Sequence, residues 1–189
     1  KKEIAKQNIT YTICANGEIT IATSLQTIAD APEMLRYGMR VEMPQNLDQT
    51  TFYGRGPVEC YDDRKDNAFV GIYSLSASDM FYPYLRPQEN GTRTDIRWWK
   101  QTDKAGRGIE ISGNETLFSA SALKHSIEQL DEGIDKSQRH SELLNEEPFV
   151  SLCIDKYQMG IGCVNSWGAW PRPEYQIKNR TTNGTIDFS

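Results

Sequence analysis

From Leu35 to Met43 the chain alternates: Leu35, Tyr37, Met39, Val41 and Met43 are apolar or aromatic, with Arg36, Gly38, Arg40 and Glu42 between them. Successive side chains of a strand point to opposite faces, so this run predicts a half-buried β-strand, one face on a core and one in water. Shorter runs repeat the period: Ile9-Tyr11-Ile13, Ile19-Ile21, Ile109-Ile111, Phe118-Ala120-Ala122 and Val150-Leu152-Ile154. Asn16-Gly17, Asn90-Gly91 and Gly113-Asn114 read as turns between strands, because these residues tolerate the positive φ that tight connections need. One short helix is predicted over residues 126–132, stopped by Gly133. The pattern is that of an all-β, antiparallel chain forming a single domain over residues 1–189.

Charged residues cluster where the alternation breaks. Tyr53-Gly54-Arg55-Gly56-Pro57-Val58-Glu59-Cys60-Tyr61-Asp62-Asp63-Arg64 holds turn formers, two arginines and three acids in twelve positions. Glycines around Arg55, followed by Pro57, cannot continue a helix and predict a defined loop. A catalytic acid–base pair would need two carboxylates held close together. The acids near such loops are Glu59, Asp62, Asp63, Glu89, Asp95 and Asp155, and arginines stand beside them at Arg55, Arg64, Arg93 and Arg97. The guanidinium fork binds carboxylates bidentately, so the expectation is structural ion pairing and not a catalytic dyad. Strand alternation over 93–98 would place Arg93, Asp95 and Arg97 on one face, as a ladder. It would also send Trp98 and Trp99 to opposite faces, one toward the core.

The two histidines, His125 and His140, have no nucleophile motif near them and read as hydrogen-bonded loop or edge residues. Of Cys14, Cys60, Cys153 and Cys163, no two form a C-x-x-C pair, which argues against a structural metal. Free, mostly buried thiols are expected, with a Cys153–Cys163 bridge left open by geometry. No cofactor is implied.

At 189 residues, with 38% hydrophobic and 25% charged residues, the chain can bury a sizeable core. A net charge of −5 argues against a nucleic-acid or anionic-membrane surface. No apolar run approaches the roughly 18–20 residues of a membrane-spanning helix. The basic start, Lys1-Lys2-Glu3-Ile4-Ala5-Lys6, lacks the apolar core of a signal peptide.

Three motifs in order carry a resemblance: the 53–64 segment; Pro87-Gln88-Glu89-Asn90-Gly91 running through Arg93, Asp95 and Arg97 to Trp98; and Met159-Gly160-Ile161-Gly162-Cys163-Val164-Asn165-Ser166-Trp167-Gly168. Together they resemble the C-terminal, small-chain domain of glycoside hydrolase family 2 β-galactosidases. Cys60 stands where that family has asparagine, Cys163 replaces a glycine and Asn165 an aspartate. The resemblance implies an antiparallel supersandwich like that of galactose mutarotase, here without the N-terminal part of the full domain, so the chain reads as a fragment of a longer bacterial β-galactosidase. It implies that the catalytic glutamates lie in a separate barrel, that this portion buttresses the barrel and other domains, and that the full enzyme is a homo-oligomer acting on β-galactosides.

By its glycine-flanked loop alone, Trp167 could be core or exposed. The resemblance implies that Trp167, with Ser166 and Asn165, forms a sugar platform in the aglycone subsite. Arg55, Glu59, Arg64, Glu89, Arg93, Asp95 and Arg97 are then structural motif residues. A stand-alone carbohydrate-binding module using Trp167 and Trp170, and a mutarotase-like epimerase using Glu89 and His125, are the alternatives. Bacterial cytoplasm and periplasm both remain open as compartments.

Overall fold

A computed structural model describes residues 3–113, 115–131, 133, 139–162 and 168–177, and the backbone of 186–188. Its strands are β1 (Ala5–Ile13), β2 (Ile19–Thr27), β3 (Arg36–Pro44), β4 (Gln49–Gly56), β5 (Phe69–Ser76), β6 (Arg93–Ile96), β7 (Trp98–Thr102), β8 (Gly108–Ser112), β9 (Phe118–Leu123), β10 (Phe149–Gln158) and β11 (Ile186–Phe188). They form three antiparallel sheets, ordered β1-β2-β11, β3-β10-β9-β6 and β5-β4-β7-β8. The two four-stranded sheets share one core, which makes the chain an all-β sandwich.

The alternation read over 35–43 becomes β3, with Met43 buried and Arg40 and Glu42 in water. Opposite it on β10, Val150 pairs with Met43, Leu152 with Val41 and Ile154 with Met39, so the apolar sets of both strands share one face. Ala120 and Ala122 of β9 complete this layer. From the facing sheet come Phe52 and Trp99, both wholly buried, with ring centroids 5.2 Å apart and planes nearly parallel. The Trp99 indole N–H donates to Gln101 Oε1 at 3.1 Å, which also accepts from Thr50 at 2.9 Å. The amide of Gln101 donates to the Leu47 carbonyl at 2.7 Å. A buried glutamine costs little when its amide group is bonded in this way. Trp98 stands half-buried on the opposite, outward face.

The structure differs from the sequence expectation in four places. The alternating residues of β1 are not half-buried: all nine are exposed, because β1 pairs only with β2 at the sheet edge, while Ile21 of β2 packs on the core. Asn90-Gly91 is no hairpin turn. Asn90 is buried and clamps Tyr82, accepting its N–H at 2.9 Å and donating to its carbonyl at 2.6 Å. The helix predicted over 126–132 is the single turn α2 (Ile127–Leu130), and another turn, α1 (Ala77–Met80), precedes it. The start of α1 carries a capping box in which the Ser76 side chain accepts the Asp79 N–H while Asp79 reaches back to Ser76.

The fourth difference lies at 93–97. Asp95 has φ +54, and the β6–β9 register shifts between Arg93 and Ile96. Period-two alternation fails there, so Arg93, Asp95 and Arg97 do not form a ladder.

β10 is buried on both faces. Its second face, with Ser151 and Cys153, lies under the segments carrying Glu89, Asn90, His125, Ile127 and Leu130. The cavity left there is about 10 Å³, enough for a single water.

Candidate functional site

The twelve-residue motif begins in β4 and leaves it through a cis Gly56–Pro57 peptide. Arg55 Nε donates to Asp95 Oδ2 at 2.6 Å, and its Nη1 to the carbonyls of Ala68 and Lys65 at 2.9 and 3.3 Å. Lys65 bridges Asp95 and Asp62 at 3.4 and 3.2 Å. Burial alone would raise the Asp95 carboxyl, but the Arg55 hydrogen bond and the Lys65 charge outweigh it and hold the group below its ordinary value. Glu59 accepts from Arg64 at 2.7 Å, from the Gly91 N–H at 2.9 Å and from the Tyr84 hydroxyl. Cys60 is fully buried between these pairs, its sulfur 3.2 Å from the Thr94 hydroxyl and accepting the Thr94 N–H at 3.4 Å. A thiol at the asparagine position of the family motif therefore still bonds backbone and side chain.

Two arginines depart from the expected carboxylate pairing. Arg93, 3% exposed, donates to the carbonyls of Pro57 and Gly91 at 2.9 and 2.7 Å. Arg97 donates to the Asp95 carbonyl and lies over the Tyr53 ring, 5.2 Å from its centroid. The Asp95 carboxylate, on the residue with φ +54, is bonded instead by Arg55 and Lys65. Glu89 pairs with a residue the sequence reading did not connect to it: Arg36 Nη1 lies 3.3 Å from Glu89 Oε2, while Arg36 also grips Asp155 through Nε and Nη2. Arg36 is a polar position of the alternating 35–43 run and Glu89 lies in the polar 86–92 segment, so no local pattern connects the two.

Both histidines bond as expected for loop residues. His125 Nδ1 lies 3.3 Å from Gln129 Oε1 and from the Asn145 carbonyl, and His140 Nδ1 lies 3.0 Å from the Leu85 carbonyl. Cys14 is exposed while Cys60 and Cys153 are buried, and all three are free thiols. Burial pushes the Cys153 thiol up to about 11. Cys163 lies outside the described residues; Cys153, the other half of the bridge left open by the sequence, carries a free thiol.

Asp63 is the residue that ties the first motif to the third. Its carboxylate accepts the N–H groups of Ile161 at 3.1 Å and Gly162 at 2.8 Å. Gly160 lies so close that a Cβ there would stand 2.6 Å from Asp63 Cγ, which only glycine avoids. The Met159 and Gly160 N–H groups donate to the carbonyls of Leu35 and Tyr175 at 2.8 and 2.9 Å. Gly162 has φ +78 and its missing Cβ would meet the Ala169 carbonyl at 2.7 Å, so the two arms of the segment pass closely. Asn165, Ser166 and Trp167, the expected substrate contacts, lie outside the described residues. Beyond them Trp170 is 56% exposed. Sequence reasoning named Asp63 only as an acid; its neighbour Arg64 and the glycine spacing of 160 and 162 were the available signals.

A family model for the β-galactosidase small chain matches residues 1–188. The chain belongs to this family. Among the relatives of this small-chain member are β-galactosidases of Priestia megaterium, 36% identical over 97% of the chain, and of Lactobacillus delbrueckii subsp. bulgaricus, 32% identical over 88%. A third, from Streptococcus thermophilus, is 28% identical over 90%. The small-chain region spans only 16–17% of the length of these relatives.

The small-chain motif around Arg55 and Asp95 makes a testable contribution to stability. Asp95's pKa is depressed in the fold, so its contribution is present above the unfolded value of about 4 and is lost as pH falls through the lower folded value. Asp95→Asn should lower the urea midpoint at neutral pH, and the gap to wild type should close toward pH 3. Parallel midpoints for the two proteins across that range would remove the Arg55–Asp95 pair from the account.

Proposed function

We propose that this chain is a non-catalytic portion of a β-galactosidase that hydrolyses terminal β-D-galactosides. It buttresses the catalytic barrel and presents Trp167, with Ser166 and Asn165, to the aglycone side of the substrate. The observation that carries this reading is the Asp63 anchor. One carboxylate holds two consecutive amides and a glycine at the entry to the segment that contains Trp167. Such investment in a connecting segment fits a loop whose tip has a binding task, since binding residues commonly sit on loops positioned by a rigid scaffold. Sugar rings stack their C–H faces on indole, which gains apolar contact and the attraction of the ring's electron-rich face.

The candidate acids are committed elsewhere: Glu59, Glu89, Asp95 and Asp155 each bond an arginine. An epimerase centred on Glu89 and His125 finds little room, because the cavity between them is about 10 Å³ and small-molecule sites occupy about 300–1,000 Å³. The exposure of Trp170 on the far arm of the same segment favours a stand-alone glycan-binding module as the second reading. Assaying the purified chain with a chromogenic galactoside tests the non-catalytic assignment. No turnover above buffer is expected. Turnover that disappears in Glu59→Gln or Glu89→Gln would overturn it.

A further inference from the structure

The outward face of the β5-β4-β7-β8 sheet breaks the usual rule that the solvent side of an antiparallel sheet is polar. Ile72, Tyr53 and Trp98 are cross-strand neighbours in one row, and Val70 stands beside them. Ile72 is 66% exposed, Val70 42% and Tyr53 37%. On the other sheet of the sandwich the outer face of β9 and β10 is covered by the chain's own segments, and where that face is open, on β3, it carries Arg40 and Glu42, so the bare apolar row is not a general property of the fold. β5 is also an edge strand, with backbone groups open to a partner.

We infer that this face is the docking surface for the rest of the β-galactosidase polypeptide, a protein surface with an apolar centre and a carboxylate opposite Arg97. The inference rests on the multidomain reading above. Its relatives are about six times as long as the matched region, and an exposed apolar row on a charged rim is the mark of such an interface. Among the described residues Arg97 has no carboxylate partner; it bonds a carbonyl and covers Tyr53.

Other occupants fit less well. A dimer of this chain would set the patch against its own copy and face Arg97 and Lys100 with the same cations. A glycan needs an open, flat ring face. Here the Tyr53 and Trp98 rings are tilted by 52° with centroids 6.4 Å apart, and each carries a cation over it, Arg97 at 5.2 Å and Lys100 at 5.5 Å.

Photo-crosslinking of the full-length enzyme tests this, with p-benzoylphenylalanine replacing Ile72. The expected product is an intramolecular crosslink to residues outside this 189-residue region, located by mass spectrometry of the digested protein. A crosslink to β5 or β4 of a second copy, or the recovery of position 72 free of any protein crosslink, would overturn the inference. If either occurs while the Trp167→Ala enzyme still shows a substrate-dependent loss, the docking surface alone is wrong. A crosslink as expected with no such loss would leave the docking surface standing and remove the platform.

Discussion

Arg36→Ala should destabilise the fold by about 3–5 kcal/mol, the usual consequence of stranding a buried charge. Asp155 sits in β10 with its side chain 4% exposed, and both Nε and Nη2 of Arg36 bond it. The same guanidinium reaches Glu89 at 3.3 Å. Burial pushes both carboxyls above their ordinary values, and the Arg36 charge is the principal force in the other direction. Without it, Asp155 must remain buried and ionised or take up a proton. The folded variant then binds protons more tightly than its unfolded chain, so the stability it loses at neutral pH should be partly restored toward pH 5. Urea melts at pH 7 and pH 5 provide the measurement. Adding Asp155→Asn to Arg36→Ala should recover part of the loss, because the stranded charge is gone. A variant that unfolds at the wild-type midpoint at pH 7 would show that the pair carries no such weight.

Trp99→Ala should be comparably damaging, at about 3–5 kcal/mol for truncating a buried tryptophan. Its ring fills the centre of the sandwich against Phe52, and its N–H is one of the two donors on Gln101 Oε1. Trp98→Ala, one position along and on the outward face, removes no core volume and should cost clearly less. Urea midpoints of the two variants decide the point; equal losses would mean that the face assignment of β7 is wrong.

The parts of this architecture that were legible in the sequence are those enforced by burial of one face. β3 could be read because a one-residue slip would exchange Met39, Val41 and Met43 for Arg40 and Glu42 in the core. The same logic separated Trp99 from Trp98. Alternation failed at Asp95 because a single left-handed residue breaks the period, and no local pattern announces it in a non-glycine residue. It also overstated β1, whose isoleucines alternate correctly but lie at an uncovered edge.

Side-chain partnerships across the fold were the least legible. Arg36 and Asp155 lie 119 positions apart, and Asp63 reaches Ile161 across 98. Residue types at those positions permit many pairings, and only the strand register and the loop path select one. The motif residues of the candidate site were visible as a set. Their division into an ion-paired scaffold and an anchored loop needed coordinates.

The central claim about the molecule is that the segment held by Asp63 presents Trp167 to the aglycone. The direct test is kcat/KM of the full-length enzyme for a β-galactosyl disaccharide and for a small aryl galactoside, in wild type and Trp167→Ala. Loss of one stacking platform should lower the disaccharide value about tenfold, equivalent to about 1.4 kcal/mol. The aryl galactoside, whose leaving group makes its own contacts, should change less, and the melting midpoint should stay near that of wild type. Equal losses on both substrates, accompanied by a fall in stability typical of a truncated core tryptophan, would contradict the platform and place Trp167 in the core.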